Sequence, residues 1–312
     1  MIESILEKVS FNNAEFAFYK ESLKSYNAKE IMSEHDYESV DKALKEFLPC
    51  KINDDYHFTF STTATDLIKQ LFKKYVDDDT LVLTTNSEHP KVQEILKKCK
   101  NVVKAFDKES LQQFTVDNKY KRVFIYMIGT MCATGHIVYD QEFESIIERA
   151  KASGKEVITV IDAVQELFLL HRDYNKFDYI IGTAHALIPE YNVGLMLSKD
   201  TSIGKHLMIA QPFVTMLKWL LKRKEYLYQF STFMSMEFGN TRNTQFYHDF
   251  GISHLFFIKT RNGEFNQMQE EDTVKDNIDN VGVLFRGCWS VVDHETFDNL
   301  LQTTKFIVEG NI

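Results

Sequence analysis

Proline and glycine are scarce in this chain, 4 and 12 residues in 312. That scarcity argues against flexible linkers, low-complexity tracts and disorder. The four cysteines, Cys50, Cys99, Cys132 and Cys288, lie far apart and show no metal-type spacing. A reducing cytoplasm is therefore the expected compartment. Apolar stretches such as the Leu-Phe-Leu-Leu at 167–170 are far short of the ~20 residues that span a bilayer. The opening Met1-Ile-Glu-Ser-Ile-Leu-Glu-Lys8 reads as an amphipathic helix with acidic residues, not as a secretory signal. Positive charge is also lacking. Lys and Arg number 36 against 45 Asp and Glu, a net charge of -9, so no nucleic-acid footprint is expected.

Apolar residues make up 44% of the chain, enough to fill a sizeable core. From about residue 56, short β-rich runs alternate with helical stretches, the pattern of βαβ units and a parallel sheet. Strands are expected at 56–60, 81–85, 102–106, 122–128, 156–161, 177–182 and 193–198. Helices are expected at 65–76, 88–99, 109–115 and 140–153, with helix and turns over 203–237 and a further helix at 240–253. A last strand at 281–285 precedes a helix at 295–308. The division that follows is an N-terminal helical arm (1–55), a large α/β domain (56–237) and a small α+β C-terminal region (238–312).

In such sheets ligands bind beyond the C-terminal strand ends. Ser61-Thr-Thr-Ala-Thr-Asp66 follows the first strand, and hydroxyls at a helix N-terminus either cap the helix or cradle a phosphate. Thr85-Asn-Ser-Glu-His-Pro90 follows the second, with Ser87 as N-cap and His89 in the first turn, a surface histidine or a ring lying on a flat ligand. Asp162 follows the fifth strand. A carboxylate delivered there by apolar residues needs a partner, and a protonated ring nitrogen or a helix cap would serve. Thr183-Ala-His185 follows the sixth, either a structural threonine and histidine or a second phosphate contact.

Taken in order, these segments resemble the class V aminotransferase and cysteine desulfurase family of fold-type-I pyridoxal-phosphate (PLP) enzymes. Ser61-Thr-Thr-Ala-Thr-Asp-Leu67 is similar to that family's phosphate loop, which implies Ala64 N–H and Thr65 at the phosphate. Glu88-His89 resembles the pair whose histidine stacks on the pyridine ring. Asp162-Ala-Val-Gln165 resembles Asp-Ala-Ala-Gln, implying Asp162 on the ring nitrogen and Gln165 on the ring oxygen. Thr183-Ala-His-Ala186 is similar to Ser-Ala-His-Lys, with Thr183 and His185 as phosphate donors. Glu237-Phe-Gly-Asn-Thr-Arg-Asn243 resembles the loop by which one subunit of a dimer reaches its neighbour's phosphate, making Thr241 that donor. Leu284-Phe-Arg-Gly287 resembles the substrate-arginine strand, making Arg286 a carboxylate clamp. The resemblance implies a mostly parallel seven-stranded fold-type-I sheet and a homodimer acting on a small amino-acid-like substrate.

Ala186 stands where that family keeps its Schiff-base lysine. The cofactor, PLP or pyridoxamine phosphate (PMP), would then be held non-covalently, and a base must come from elsewhere, His185 being the candidate. Ala186 is read either as natural or as an engineered Lys→Ala change. Lys199 and Lys205 lie beyond the next strand and are poor substitutes. Thr63 replaces the family glycine, and Cys132 a loop asparagine. The alternative is a non-catalytic relative serving as a binding or regulatory protein. A cysteine-dependent enzyme using Cys288 is a third reading, although its spacing does not match the family's cysteine motif.

Overall fold

A computed structural model describes residues 29–85, 88–104, 114–130, 138, 140–185 and 191–222, and the backbone of four strands at 244–247, 255–260, 276–277 and 283–288. Along the chain come α1 (Glu34–Glu46), β1 (His57–Ser61), α2 (Ala64–Tyr75), β2 (Thr80–Thr84), α3 (Pro90–Leu96) and β3 (Val102–Lys104). Then follow β4 (Arg122–Ile128), α4 (Asp140–Ala152), β5 (Glu156–Asp162), β6 (Tyr179–Thr183), β7 (Gly194–Ser198) and α5 (Gln211–Lys222).

The seven strands form one sheet in the order β1-β7-β6-β5-β4-β2-β3. Strands β3, β2, β4, β5 and β6 pair in parallel, whereas β7 runs antiparallel to both β6 and β1. All strands but β7 therefore end at the same edge. Strand β4 shows why its sequence is apolar throughout. Val123, Ile125 and Met127 join one core with Phe58, Phe143 and Phe168, while Phe124 and Tyr126 join another with Leu67, Phe72 and Val92. The α1, α4 and α5 side chains contribute to the first core, those of α2 and α3 to the second. Helices thus cover both faces, and each large apolar side chain so buried contributes ~1.5–3 kcal/mol before entropy is counted.

Local signals fix the connections. Ser33 caps α1, accepting from Asp36 N–H at 3.2 Å. Buried Asp41 ties α1 to the sheet by accepting from Phe58 N–H at 2.7 Å. Gly154, at φ +70°, makes the left-handed turn between α4 and β5 that a side chain would strain.

The second sheet is antiparallel, in the order β10-β11-β9-β8, with β8 (Thr244–Tyr247), β9 (Leu255–Thr260), β10 (Asp276–Asn277) and β11 (Val283–Cys288). It corrects the helix expected at 240–253. Thr-Gln-Phe-Tyr is a β-rich run and pairs with β9, from Thr244 opposite Thr260 to Tyr247 opposite Phe257. Helix α3 is shorter than expected at both ends: Pro90 at its first position starts it two residues late, and it is capped at Lys97. Of the helix expected at 109–115, only 114 and 115 are described, and they are not helical. The helix at 295–308 lies outside the described residues.

Candidate functional site

The site-forming residues collect at the edge where the parallel strands end. Ser61, Gly194 and Thr183 stand in register across β1, β7 and β6. Asp162 at the end of β5 is level with Ile181 of β6 and Ile128 of β4. Helix α2 begins over this edge. A Cβ at Gly194 would run into the backbone of Thr63 and Ala64, so glycine lets the helix tip sit directly on the start of β7. Thr63 is extended at φ -149° and caps α2 by accepting from Asp66 N–H at 3.2 Å. Threonine therefore replaces the family glycine without backbone strain. Ala64 and Thr65 form the first turn, where helix N–H groups favour an anion.

Asp162 is 4% exposed. Its Oδ2 accepts from the Tyr126 hydroxyl at 2.8 Å and its Oδ1 from Val164 N–H at 3.1 Å. Burial pushes its carboxyl up to about 6, against the lowering effect of those two bonds. Three residues on, the buried Oε1 of Gln165 has no hydrogen-bond partner among the described residues. Thr183 donates to Val193 carbonyl at 3.1 Å and accepts from His185 N–H at 3.3 Å, and the His185 side chain is exposed.

On the other side of β4, Glu88 is also 4% exposed. It accepts from Thr85 Oγ1 at 2.7 Å and from Ile128 N–H at 3.1 Å. Burial, reinforced by the charge of Asp162, pushes its carboxyl up to about 8. His89 is exposed and is itself the N-cap of α3, its Nδ1 accepting from Lys91 N–H at 3.2 Å. This corrects the assignment of the cap to Ser87, since Pro90 has no N–H to be satisfied and the next donor is Lys91. Asp162 and the Glu88-His89 loop lie at the same edge, two strand spacings apart, roughly 10 Å.

Tyr126, Glu88 as a buried acid and a second carboxyl, Glu166, were not singled out by sequence. Glu166 accepts from Arg172 Nε at 2.6 Å and from Thr130 Oγ1 at 2.7 Å. A Cβ on Gly129 would collide with that carboxylate. Arg172 also donates to Asp140 at 2.7 Å and to Val138 carbonyl at 2.8 Å. The only sequence signals for this network are a tyrosine inside an apolar strand and a charged pair six positions apart.

Among the expected site residues, Ala186 and Thr241 lie outside the described residues, as does Cys132. Arg286 is placed by its backbone alone, in β11 opposite Phe257. Cys288 ends that strand. Lys199 pairs with Asp55 at 2.8 Å at the opposite edge of the sheet. Lys205 bridges to Phe60 outside β1, four strand spacings from β5, roughly 19 Å and beyond a lysine's reach. A cleft of about 330 Å³ between α2 and α3, lined by Lys69, Phe72, Ile95 and Lys98, is separate from the strand-end edge. The described residues contain no cluster that could hold a metal ion, and no helix long and apolar enough to cross a membrane.

No family model matches the chain. The cysteine desulfurase SufS of Plasmodium vivax is 23% identical over 185 residues, which are 53% of this chain and 33% of that enzyme. The chain thus spans about a third of that relative's length. Among solved structures, a NifS-like protein from Rickettsia africae superposes with TM-score 0.64 at 11% identity, covering 96% of this chain and 98% of that one. Sphingomonas wittichii serine palmitoyltransferase gives 0.63 at 10% identity, covering 96% and 85%. The coverage and the sheet order together give the chain the architecture of the fold-type-I PLP-dependent transferases, a mostly parallel seven-stranded sheet flanked by helices.

Proposed function

We propose that the chain binds PLP or PMP non-covalently at the strand-end edge and works in amino-acid chemistry as an aminotransferase- or lyase-type enzyme. The residues present fit such a group. A buried carboxylate, Asp162, has no cation against it among the described residues. An amide oxygen, Gln165 Oε1, lacks a partner among the described residues, and the α2 tip is seated on Gly194 where it can meet a phosphate. Bound there, the cofactor supplies an electron sink.

The chain's own residues do the rest. Asp162, fixed by Tyr126 and Val164, would hold a proton on the ring nitrogen. His89 would stack on the ring. Ala64 N–H, Thr65, Thr183 and His185 hold the phosphate, joined by Thr241 from the neighbouring subunit of a homodimer. Gln165 orients the ring oxygen, and Arg286 clamps a substrate carboxylate. With alanine at 186 there is no covalent anchor, and His185, exposed beside the edge, is the base. The 1–55, 56–237 and 238–312 division and a cytoplasmic location belong to the same reading.

The observation that carries it is the buried Asp162 carboxylate at a parallel sheet's C-terminal edge. Purified protein mixed with excess PLP or PMP is expected to retain cofactor through desalting and, with PLP and amino acids, to show visible absorption. Asp162→Ala should abolish retention while leaving the fold intact. Wild type that retains nothing sinks the proposal. One observation favours the alternative of a non-catalytic binding or regulatory protein: both Asp162 oxygens already have protein partners, so the carboxylate is satisfied without a ligand. Retention unaffected by Asp162→Ala would favour that reading.

A further inference from the structure

Glu88 is a buried acid that the cofactor reading leaves without a role. Its Oε1 is accounted for. Strand β2 ends at Thr84, and the Glu88 carboxyl supplies to Ile128 N–H the acceptor that a longer β2 would have given. Its Oε2 is not: it is buried and has no hydrogen-bond partner among the described residues. A charged oxygen placed so is unfavourable, whereas a proton on Oε2 removes the charge.

The groups around it push one way. Asp162 on β5 adds negative charge, and Tyr126 on β4 is occupied in donating to Asp162. Thr85 already donates to Oε1. Glu166 is matched by Arg172, which also reaches Asp140. His89, next in sequence, is exposed and caps α3. Among the described residues no ion pair reaches Glu88 or Asp162. Two neighbouring carboxyls without a cation cannot both ionise cheaply.

We infer that Glu88 is a proton store coupled to Asp162: it carries a proton on Oε2 while Asp162 is the charge beside it, and releases that proton to solvent when a cationic ring is placed against Asp162. The balance is simple. One positive charge enters with the ligand, one proton leaves Glu88, and the pair ends as two carboxylates facing one cation. By reciprocity, ligand binding then tightens as pH rises through the titration of Glu88. Glu88 acts through Asp162 and is a positioning residue. The inference rests on the proposed cofactor site only for the identity of the cation.

The test is an infrared titration of the full chain, taken as the difference between wild type and Glu88→Gln, with PMP as the probe ligand. Wild type without ligand should show a carboxylic-acid carbonyl at pH 7 that Glu88→Gln lacks. Asp162→Asn, or saturation of the wild type with PMP, should lower the midpoint of that signal by about one pH unit, tenfold in proton affinity. Equilibrium binding of PMP should tighten up to tenfold across that midpoint in wild type and stay flat in Glu88→Gln. An ionised Glu88 at pH 7, or a midpoint that neither Asp162→Asn nor bound PMP moves, overturns the inference and leaves the cofactor proposal standing. An acid signal that Asp162→Asn shifts, in a chain that binds no PMP, upholds the coupling and sinks the cofactor reading instead. The wild-type titration with and without PMP needs no substitution to fold.

Discussion

The two edges of the seven-stranded sheet treat carboxylates in opposite ways. Where the parallel strands begin, acids and cations are matched at the surface: Glu156 with Arg122, Asp79 with Lys121, Asp55 with Lys199, and Asp200 with Lys74. Where those strands end, Asp162 and Glu88 are buried with no cation against them among the described residues, whereas Glu166 has Arg172. The difference is one of use. Exposed pairs keep an edge soluble and contribute little each, whereas buried unmatched acids cost stability and persist where a ligand or a proton completes them.

The largest expected break in this comparison comes from pH. Between the ordinary carboxyl value of 4.5 and about 8, the native state holds a proton on Glu88 that the unfolded chain has already released. Stability must then fall as pH rises through that window, by on the order of 5 kcal/mol at the limit if Glu88 titrates alone. Asp162, raised to about 6, slopes the same way at its lower end. Glu88→Gln should flatten the upper part of the profile, read as denaturant midpoints between pH 5 and 8. A wild type whose stability rises over that range would contradict the buried-acid account.

Next in size is Arg172→Ala. It strips the cation from Glu166, which is 2% exposed and wedged against Gly129, and should cost about 3–5 kcal/mol by chemical denaturation. Adding Glu166→Gln should recover part of that loss, because the unpaired charge goes with it. A loss below ~1 kcal/mol would place this pair with the exposed ones.

Much of the strand-end edge was legible because a parallel sheet writes itself as apolar runs that each deliver a polar residue. Asp162 after Val-Ile-Thr-Val-Ile and Thr183 after Ile-Ile-Gly are such cases, and both strands ended within two residues of the expected place. What stayed hidden depended on register. Tyr126 reads as one more core aromatic until β4 lies beside β5, when its hydroxyl falls on Asp162. Glu88 reads only as the neighbour of a histidine until its carboxyl is seen to take the Ile128 N–H at the end of β4. Arg172 meets Glu166 through the turns after β5, which no periodicity encodes. Strand β8 was missed although its four residues are a β-rich run, since so short a run is fixed as a strand only by its pairing with β9.

The smallest expected effect lies at the other edge, where Asp200 takes a cation from Lys74 and a hydroxyl from Tyr179 at 2.7 Å. Those donors hold its carboxyl well below the usual range although burial opposes them. Both members of the ion pair are about one-third exposed, so water and salt screen it. Lys74→Met keeps an apolar stem of similar length and removes the ammonium, with its place 5.2 Å from the Tyr75 ring centroid and its bond to Ser202. The expected loss is under about 1 kcal/mol in low salt, vanishing toward 1 M salt. Asp200 would still be held by Tyr179 and by Ser202 N–H at 3.0 Å, which is why a single charge matters so little here. If Lys74→Met instead cost as much as Arg172→Ala, the contrast between the edges would be one of pairing geometry and not of burial.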